Sequence, residues 1–446
     1  MLESIVESKY MVLPARRRIV LTFLDQSVSS VSNFVTGIAI ARLSGAAAFG
    51  QYMLVLMLWF VVVGLHRAII TEPVIVASPH AEDGCALQKQ GVGAELGLGV
   101  SVSACVAAAG LALSSAGVDE GRLMLAFSPW FVPLLLQDYW RAMAFKERRP
   151  GRALINDTVF ACVQFAGIGA LWALDLRSAG FVVGAWGVGA TAGAVQGWLS
   201  FGRPTACLTE GPRLVRRLWP VSRWMAAEFV TGFASNQAYL GFAAFLLSAV
   251  DYGGYRAALN LLGPIVVILH ASGNVGLPEA SRRADPDDPS ALRHLARRLS
   301  LSTALCVAVY GGIVVLFGRS FLRFLYGPEF TGFGLFATLA AVQALLAAFV
   351  FGETIALKAT GRMRRLWRVR LIVTAASLVS MYVLVGLMGA IGAGWAGVAT
   401  AVYYALGTYM VYRAELRRPD SKAAGLKAVL ADSRSVFPAT SSEDVF

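Results

Sequence analysis

Charge is scarce in this chain: only 15% of its 446 residues are Asp, Glu, Lys or Arg, against about a quarter in a soluble domain. With 57% of residues hydrophobic, most of the chain must meet a solvent other than water. Cysteine is sparse as well, and Cys85, Cys105, Cys162, Cys207 and Cys306 include no Cys-x-x-Cys pair. That excludes a disulfide framework and a zinc site, and leaves the cysteines expected as packing residues. A nucleophile with its base, a phosphate loop and a metal cluster are all missing. No enzyme and no resident cofactor is expected, beyond H+ or Na+ as a coupling ion. A cleaved leader is not expected either. Arg16, Arg17 and Arg18 precede an apolar run, and Ala39-Ile40-Ala41 resembles a cleavage site. But the run from Ile19 to Leu43 outlasts the roughly 7–15 apolar residues of a leader and contains Asp25 and Asn33. It reads as a retained first helix.

Long apolar runs are what the chain has instead. A transmembrane helix needs about 20 mostly apolar residues. Segments 19–43, 51–70, 91–114, 123–144, 153–174, 179–201, 223–247, 254–277, 299–318, 332–357, 366–387 and 390–412 qualify. The expected fold is an all-α polytopic membrane protein of about twelve transmembrane helices. With the N-terminus in the cytoplasm and the sides alternating, all but six of the 39 Lys and Arg fall on the cytoplasmic side. The exceptions are Arg42, Arg122, Arg177, Arg256, Arg319 and Arg323. This asymmetry is the positive-inside signature and places both termini in the cytoplasm. It turns the net charge of +12 into a topology signal and a match to anionic lipid surfaces. Nucleic acid is not the expected partner; the bilayer is.

The chain repeats itself. A shift of 203 lays Asp25 on Glu228, Ser32 on Ser235 and Asn33 on Asn236, and sets Phe49-Gly50-Gln51-Tyr52 on Tyr252-Gly253-Gly254-Tyr255. A shift of 215 lays Asp138 on Glu353 and Ala144 on Ala359. Both halves start on the same side, so this is a parallel repeat with a pseudo-two-fold axis along the membrane normal and a central site. The expected organisation is a cytoplasmic N-terminus over 1–18, a six-helix lobe over 19–201 and a linker over 202–222. A second lobe follows over 223–412, then a disordered polar tail over 413–446. Gly189, Gly193 and Gly197 share one stripe and predict close helix packing.

Charges at bilayer depth cost about 3 kcal/mol or more and therefore face the protein interior or a wet cavity. Asp25 and Asn33 are eight residues apart, a rotation of about 80°, so both can face one cavity. Glu228 and Asn236 repeat them, and all four would converge on the axis if the lobes face each other. Asp25, Glu228, Asp138 and Glu353 are the candidate ion-coupling carboxylates; the bland alternative is satisfaction by hydroxyls such as Ser29 and Ser32. Gln137 and Arg141 are candidates for an anionic head group, as are Arg42 and Arg256 at the outer helix ends, with Asn33 and Asn236 beside them. An ion pair within the helix between Asp138 and Arg141, or snorkelling of Lys358 to the surface, would remove them from that role. His66 and His270 fall at matching helix ends and read as local hydrogen-bonding residues.

Several stretches resemble a known family. They are Leu24-Asp25-Gln26 leading to Ser32-Asn33-Phe34, Ala41-Arg42-Leu43, Phe49-Gly50-Gln51-Tyr52 and Leu136-Gln137-Asp138-Tyr139-Trp140-Arg141. Leu325-Tyr326-Gly327-Pro328-Glu329-Phe330 and Ala356-Leu357-Lys358-Ala359-Thr360-Gly361-Arg362 are the most telling. Over roughly residues 15–415 the chain resembles the polysaccharide-exporter branch, which includes the O-antigen flippases, of the multidrug/oligosaccharidyl-lipid/polysaccharide (MOP) superfamily. The resemblance implies two six-helix lobes, alternating access and a polyprenyl-phosphate-linked glycan as cargo. A polysaccharide polymerase or assembly protein is then an expected partner. A drug or cation antiporter of the same superfamily is the alternative, since Asp25 and Glu228 supply acids at depth. A membrane glycosyltransferase is disfavoured. Its acid/base work needs carboxylates in a substantial outer loop, and Ser44–Gly50 has none. A scaffold for a glycan-assembly complex stays open.

Overall fold

The computed structural model describes residues 15–80, 84–118, 120–176, 178–205, 208–284 and 289–416, with the side chains of 15, 16, 19, 34, 37, 38, 40–51, 53–55, 80, 84, 85, 249, 415 and 416 outside the description. The N-terminal residues before Ala15 and the tail beyond Leu416 also lie outside it.

The described chain is helical. In order it forms α1 (Ala15–His66), a π-helical turn (Arg67–Thr71), α2 (Glu72–Ala77), α3 (Gly84–Ser115), α4 (Glu120–Phe127) and α5 (Phe131–Lys146). Then come α6 (Pro150–Ala173), α7 (Ala179–Ser200), α8 (Gly211–Leu246), α9 (Ala249–Asn260) and α10 (Gly263–Arg282). The rest is α11 (Pro289–Tyr326), α12 (Gly334–Ala348), α13 (Phe351–Ala359), α14 (Met363–Met388) and α15 (Ile391–Leu416).

All twelve expected spans are met by these helices, several of them broken. Ser128-Pro129-Trp130 is a 3-10 turn between α4 and α5, because a proline removes a backbone donor and crowds the preceding turn. The pair α9 and α10 bends by 43° just before Pro264. Among the described residues six helices are long and apolar enough to cross a membrane, or seven if the bent pair is counted as one span. The other spans are shortened by breaks, or diluted by glycine and the polar residues described below.

Residues 15–66 keep helical backbone throughout, yet they form two spans. Asp25 meets Arg141 at 2.6 Å, and His66 meets Asp138 at 2.8 Å, one turn away on α5. A straight helix would separate positions 25 and 66 by about 60 Å. The chain therefore doubles back between them.

The helices pack into two groups. In the first, α6 packs on α1, α5 and α7, and α3 packs on α4 and α5. In the second, α14 packs on α8 and α15, α12 on α11 and α15, and α13 on α10 and α11. The glycine stripe of α7 lies against α5 and α6. A Cβ on Gly189 would stand 2.7 Å from the Phe160 carbonyl, and one on Gly193 would stand 2.8 Å from Gln137 Cγ. Gly197 faces the Trp140 ring. The cysteine expectation needs correction, because Cys105, Cys162 and Cys306 are free and exposed. They stand on exposed faces of α3, α6 and α11; the side chains of Cys85 and Cys207 lie outside the described residues.

Contacts between the two groups gather at one end, where the basic loops lie. Lys358 Nζ donates to both Glu72 carboxylate oxygens at 2.9 and 3.0 Å. Arg148 donates to Glu279 at 2.6 and 3.0 Å, Arg217 donates to Gln90, and Ser222 donates to the Ile69 carbonyl at 2.9 Å. Gly64 abuts the Phe229 ring, and Gly211 lies on the α3 backbone at Gly93 and Ala94.

Candidate functional site

Above this closed end, between the two groups, lies a cavity of about 220 Å³. Its floor and walls carry Arg67, Glu72, Asp138, Arg141, His270 and Lys358, with Phe145, Leu269, Phe351 and Ile355 filling between them. The polar side chains come from both groups of helices: Asp138, Arg67 and Arg141 are held by charged partners within the first group, and Glu72 and Lys358 hold each other across the gap.

Two buried charge clusters hold the first-group wall. In one, Arg141 donates to Asp25 from Nη2 at 2.6 Å and to Gln26 at 3.0 Å. Its Nε lies 3.1 Å from Asp157. Gln137 Nε2 donates to Asp157 at 2.7 Å and to Asn156 at 2.9 Å. One guanidinium thus faces two carboxylates, and Asp25 Oδ1 and Asp157 Oδ2 are buried with no hydrogen-bond partner. In the other, His66 lies between Glu95 at 2.7 Å and Asp138 at 2.8 Å. Arg67 clasps both oxygens of Asp138, and Thr71 donates to Glu95 at 3.1 Å. His66 and Glu95 are fully buried, while Arg67 keeps 35% of its side chain exposed. The π-helical turn makes this spread feasible, since the added residue re-aims successive side chains.

Among the described residues the second group puts only Lys358 and His270 of its ionisable side chains on the wall, and its other charged contacts lie behind it. Lys358 is tied to Glu72 across the gap. Glu228 accepts from Arg370 at 2.7 Å, and Arg370 lies over the Tyr404 ring with its guanidinium carbon 4.3 Å from the centroid. Glu353 accepts from Ser300 at 2.5 Å, and Ser300 in turn accepts from the Gly352 N–H at 2.8 Å.

The four axial residues do not converge. Asp25 and Glu228 are each buried among their own helices against an arginine, Arg141 and Arg370. Asn33 and Asn236 are exposed and have no part in the cavity wall. The hydroxyl alternative for Asp25 fails too, since Ser32 donates to Gln164 instead at 3.0 Å. Asp138 and Arg141 share a helix face but do not pair with each other. Gln137 clips α5 to α6, and Lys358 does not snorkel. Arg256 is half-buried on α9, outside the cavity wall, and the Arg42 side chain lies outside the described residues. His66 is more than a local hydrogen-bonding residue, because it joins three helices. His270 stands exposed on the cavity wall.

Arg67, Glu72, Glu95, Asp157 and Arg370 escaped the sequence reading. Arg67, Glu95 and Asp157 had a signal: each is the one Asp, Glu, Lys or Arg in its expected span, 51–70, 91–114 and 153–174, the kind of mark that singled out Asp25.

No family profile matches the chain and no curated protein matches it in sequence. Solved structures do. A MATE point mutant superposes with a TM-score of 0.74 at 13% identity, over 92% of this chain and 96% of that one. An outward-facing multidrug resistance MATE family transporter of the MOP superfamily gives 0.70 at 14%, over 90% and 96%. A MOP superfamily transporter from Pyrococcus furiosus, described as having a binding pocket of reverse polarity, gives 0.71 at 15%, over 90% and 96%. The chain thus has the two-lobed, twelve-helix fold of the MATE transporters of the MOP superfamily.

Proposed function

We propose that the chain is a transporter that moves a polyprenyl-(pyro)phosphate-linked oligosaccharide from the inner to the outer leaflet for cell-surface polysaccharide assembly. The observation that carries this reading is the polarity of the cavity wall. Arg67, Arg141 and Lys358 converge on it from both groups of helices, beside His270, against Glu72 and Asp138. A phosphate arriving there meets guanidinium groups, whose fork matches its oxygens.

A sugar head group cannot cross hydrocarbon alone, because each unpaired hydroxyl costs several kcal/mol. A polar cleft removes that cost while the lipid tail stays in the bilayer. The chain is closed at its basic end, which the positive-inside rule assigns to the cytoplasm; the cavity is then held in a state that faces outward. Moving two negative charges outward against a negative interior gains about 4–5 kcal/mol per 100 mV. The membrane potential alone can therefore drive export of an anionic carrier.

A cation-coupled exporter of small molecules is the second reading. It is favoured by the multidrug resistance transporter among the neighbours and by the buried carboxylates Asp25, Asp157 and Glu228. Depletion of the protein in its host, with lipid-linked oligosaccharides quantified by mass spectrometry, separates the two. Accumulation of one intact lipid-linked species supports flipping. An unchanged pool with raised sensitivity to cationic compounds supports the exporter.

A further inference from the structure

The contacts of His66 cannot be made by a neutral imidazole and two ionised carboxylates. Its Nδ1 lies 2.7 Å from Glu95 Oε2 and its Nε2 lies 2.8 Å from Asp138 Oδ2. Each contact needs one hydrogen between its heavy atoms. A neutral imidazole carries one N–H and one lone pair, and an ionised carboxylate only accepts. Two contacts therefore need two hydrogens, and the imidazole brings one. The second is an additional proton, on the ring as imidazolium or on a carboxyl that donates to the ring.

Among the described residues no other group supplies it. The Thr71 hydroxyl lies 3.4 Å from Nδ1 but donates to the other oxygen of Glu95 at the shorter 3.1 Å, and the Arg67 guanidinium donates to Asp138. Tyr139, next to Asp138, spends its hydroxyl on the Gln88 carbonyl at 3.1 Å. From α8, which packs on the π turn, Glu228 is turned to Arg370. Arg141 is held by Asp25, Glu72 by Lys358, and His270 faces the cavity beside Arg67. With the extra proton, His66, Arg67, Glu95 and Asp138 carry no net charge, whichever group holds it. Without it, the four carry one net negative charge beside the fully buried His66 and Glu95, where burial penalises uncompensated charge.

We propose that His66, Glu95 and Asp138 form a proton-binding site of the transporter, distinct from the cavity that takes the cargo. Asp138 links the two. It is shared between the buried His66 and the cavity-facing Arg67. When the proton leaves, a ring lone pair faces a carboxylate, and the joint between α1, α3 and α5 loosens beside the inter-group contacts of the π turn. Proton loss thereby favours release of the closed end. This coupling rests on the transporter reading; the presence of the proton does not.

Glu95→Gln is the discriminating variant. Its amide can donate to Nδ1 while Nε2–H donates to Asp138, so every contact is kept and no extra proton is needed. The full chain, labelled with 15N-histidine in lipid nanodiscs at neutral pH, is examined by solid-state NMR and infrared spectroscopy, with the His66→Gln spectrum as the assignment control. The expected result is an imidazolium at His66, or a neutral ring together with a carboxylic-acid band that Glu95→Gln abolishes. A neutral ring with both carboxylates ionised overturns the proposal, whatever the cargo is. In proteoliposomes with an imposed pH gradient, transport by the wild type should respond to the gradient and that of Glu95→Gln should not. An unchanged response in Glu95→Gln refutes the coupling role. If no cargo is moved under any condition but the spectra hold, the cargo assignment has failed and the proton site stands.

Discussion

Lys358 and Glu72 lie 286 positions apart and are joined by two hydrogen bonds across the gap between the halves of the molecule. Each is only about a fifth exposed. The pair closes the floor of the cavity and ties the second half to the segment just beyond the π turn.

Glu72→Gln or Lys358→Met should therefore open the basic end. Loss of a charged hydrogen-bonded pair of this kind removes about 1.5–3 kcal/mol from the closed state. Spin labels placed on the two halves near that end should show a new, longer distance population. The exchanged pair Glu72→Lys with Lys358→Glu should restore the short distance. An unaltered distribution in both single variants would show that the apolar contacts alone keep the end shut.

Arg141→Ala leaves Asp25 and Asp157 buried without their cation, which costs about 3–5 kcal/mol. The variant should lose thermal stability in detergent. Adding Asp25→Asn and Asp157→Asn removes the uncompensated charge and should recover much of the loss. No recovery in the triple variant would mean that the guanidinium acts by packing, above all against Phe145, whose ring centroid lies 5.9 Å away.

Gly189→Leu should separate α6 from α7. The first added carbon already falls 2.7 Å from the Phe160 carbonyl, which is backbone and cannot swing aside. Overpacking costs about 1–3 kcal/mol, occasionally more, and the rest of the leucine adds to it. Gly169→Leu on the same pair of helices has open space around it and should be tolerated, so the two melting temperatures side by side test the packing account.

Topology offers a fourth test. With the basic end in the cytoplasm, a fluorescent protein fused after Phe446 should be bright inside the cell. Activity of an alkaline phosphatase fusion at the same site would reverse the orientation.

The sequence made the spans legible because bilayer thickness imposes a length on apolar runs whatever the tertiary fold. It also pointed to α5, through Asp138 and Arg141. The pairings were not legible. The spacing of three favoured contact between those two residues, but Arg141 finds Asp25 from 116 positions away and Asp138 finds His66 and Arg67 from 72 and 71. Such choices are made by which helices pack together, and that information is spread over every contact in the half. The axial convergence of Asp25 and Glu228 failed for a related reason. A buried carboxylate settles against the nearest cation of its own helices, and Arg141 and Arg370 stand closer than the opposite half.

The π turn at Arg67–Thr71 has a mechanical side. It holds one residue more than the α-helix around it, and one residue is worth about 100° of rotation. Were that surplus passed along the segment, the stretch it crossed would swing like a key in a lock, with hardly any change in overall length. His66, Arg67, Thr71 and Glu72, which now address the proton trio, the cavity and Lys358 in turn, would all change their audience in one movement.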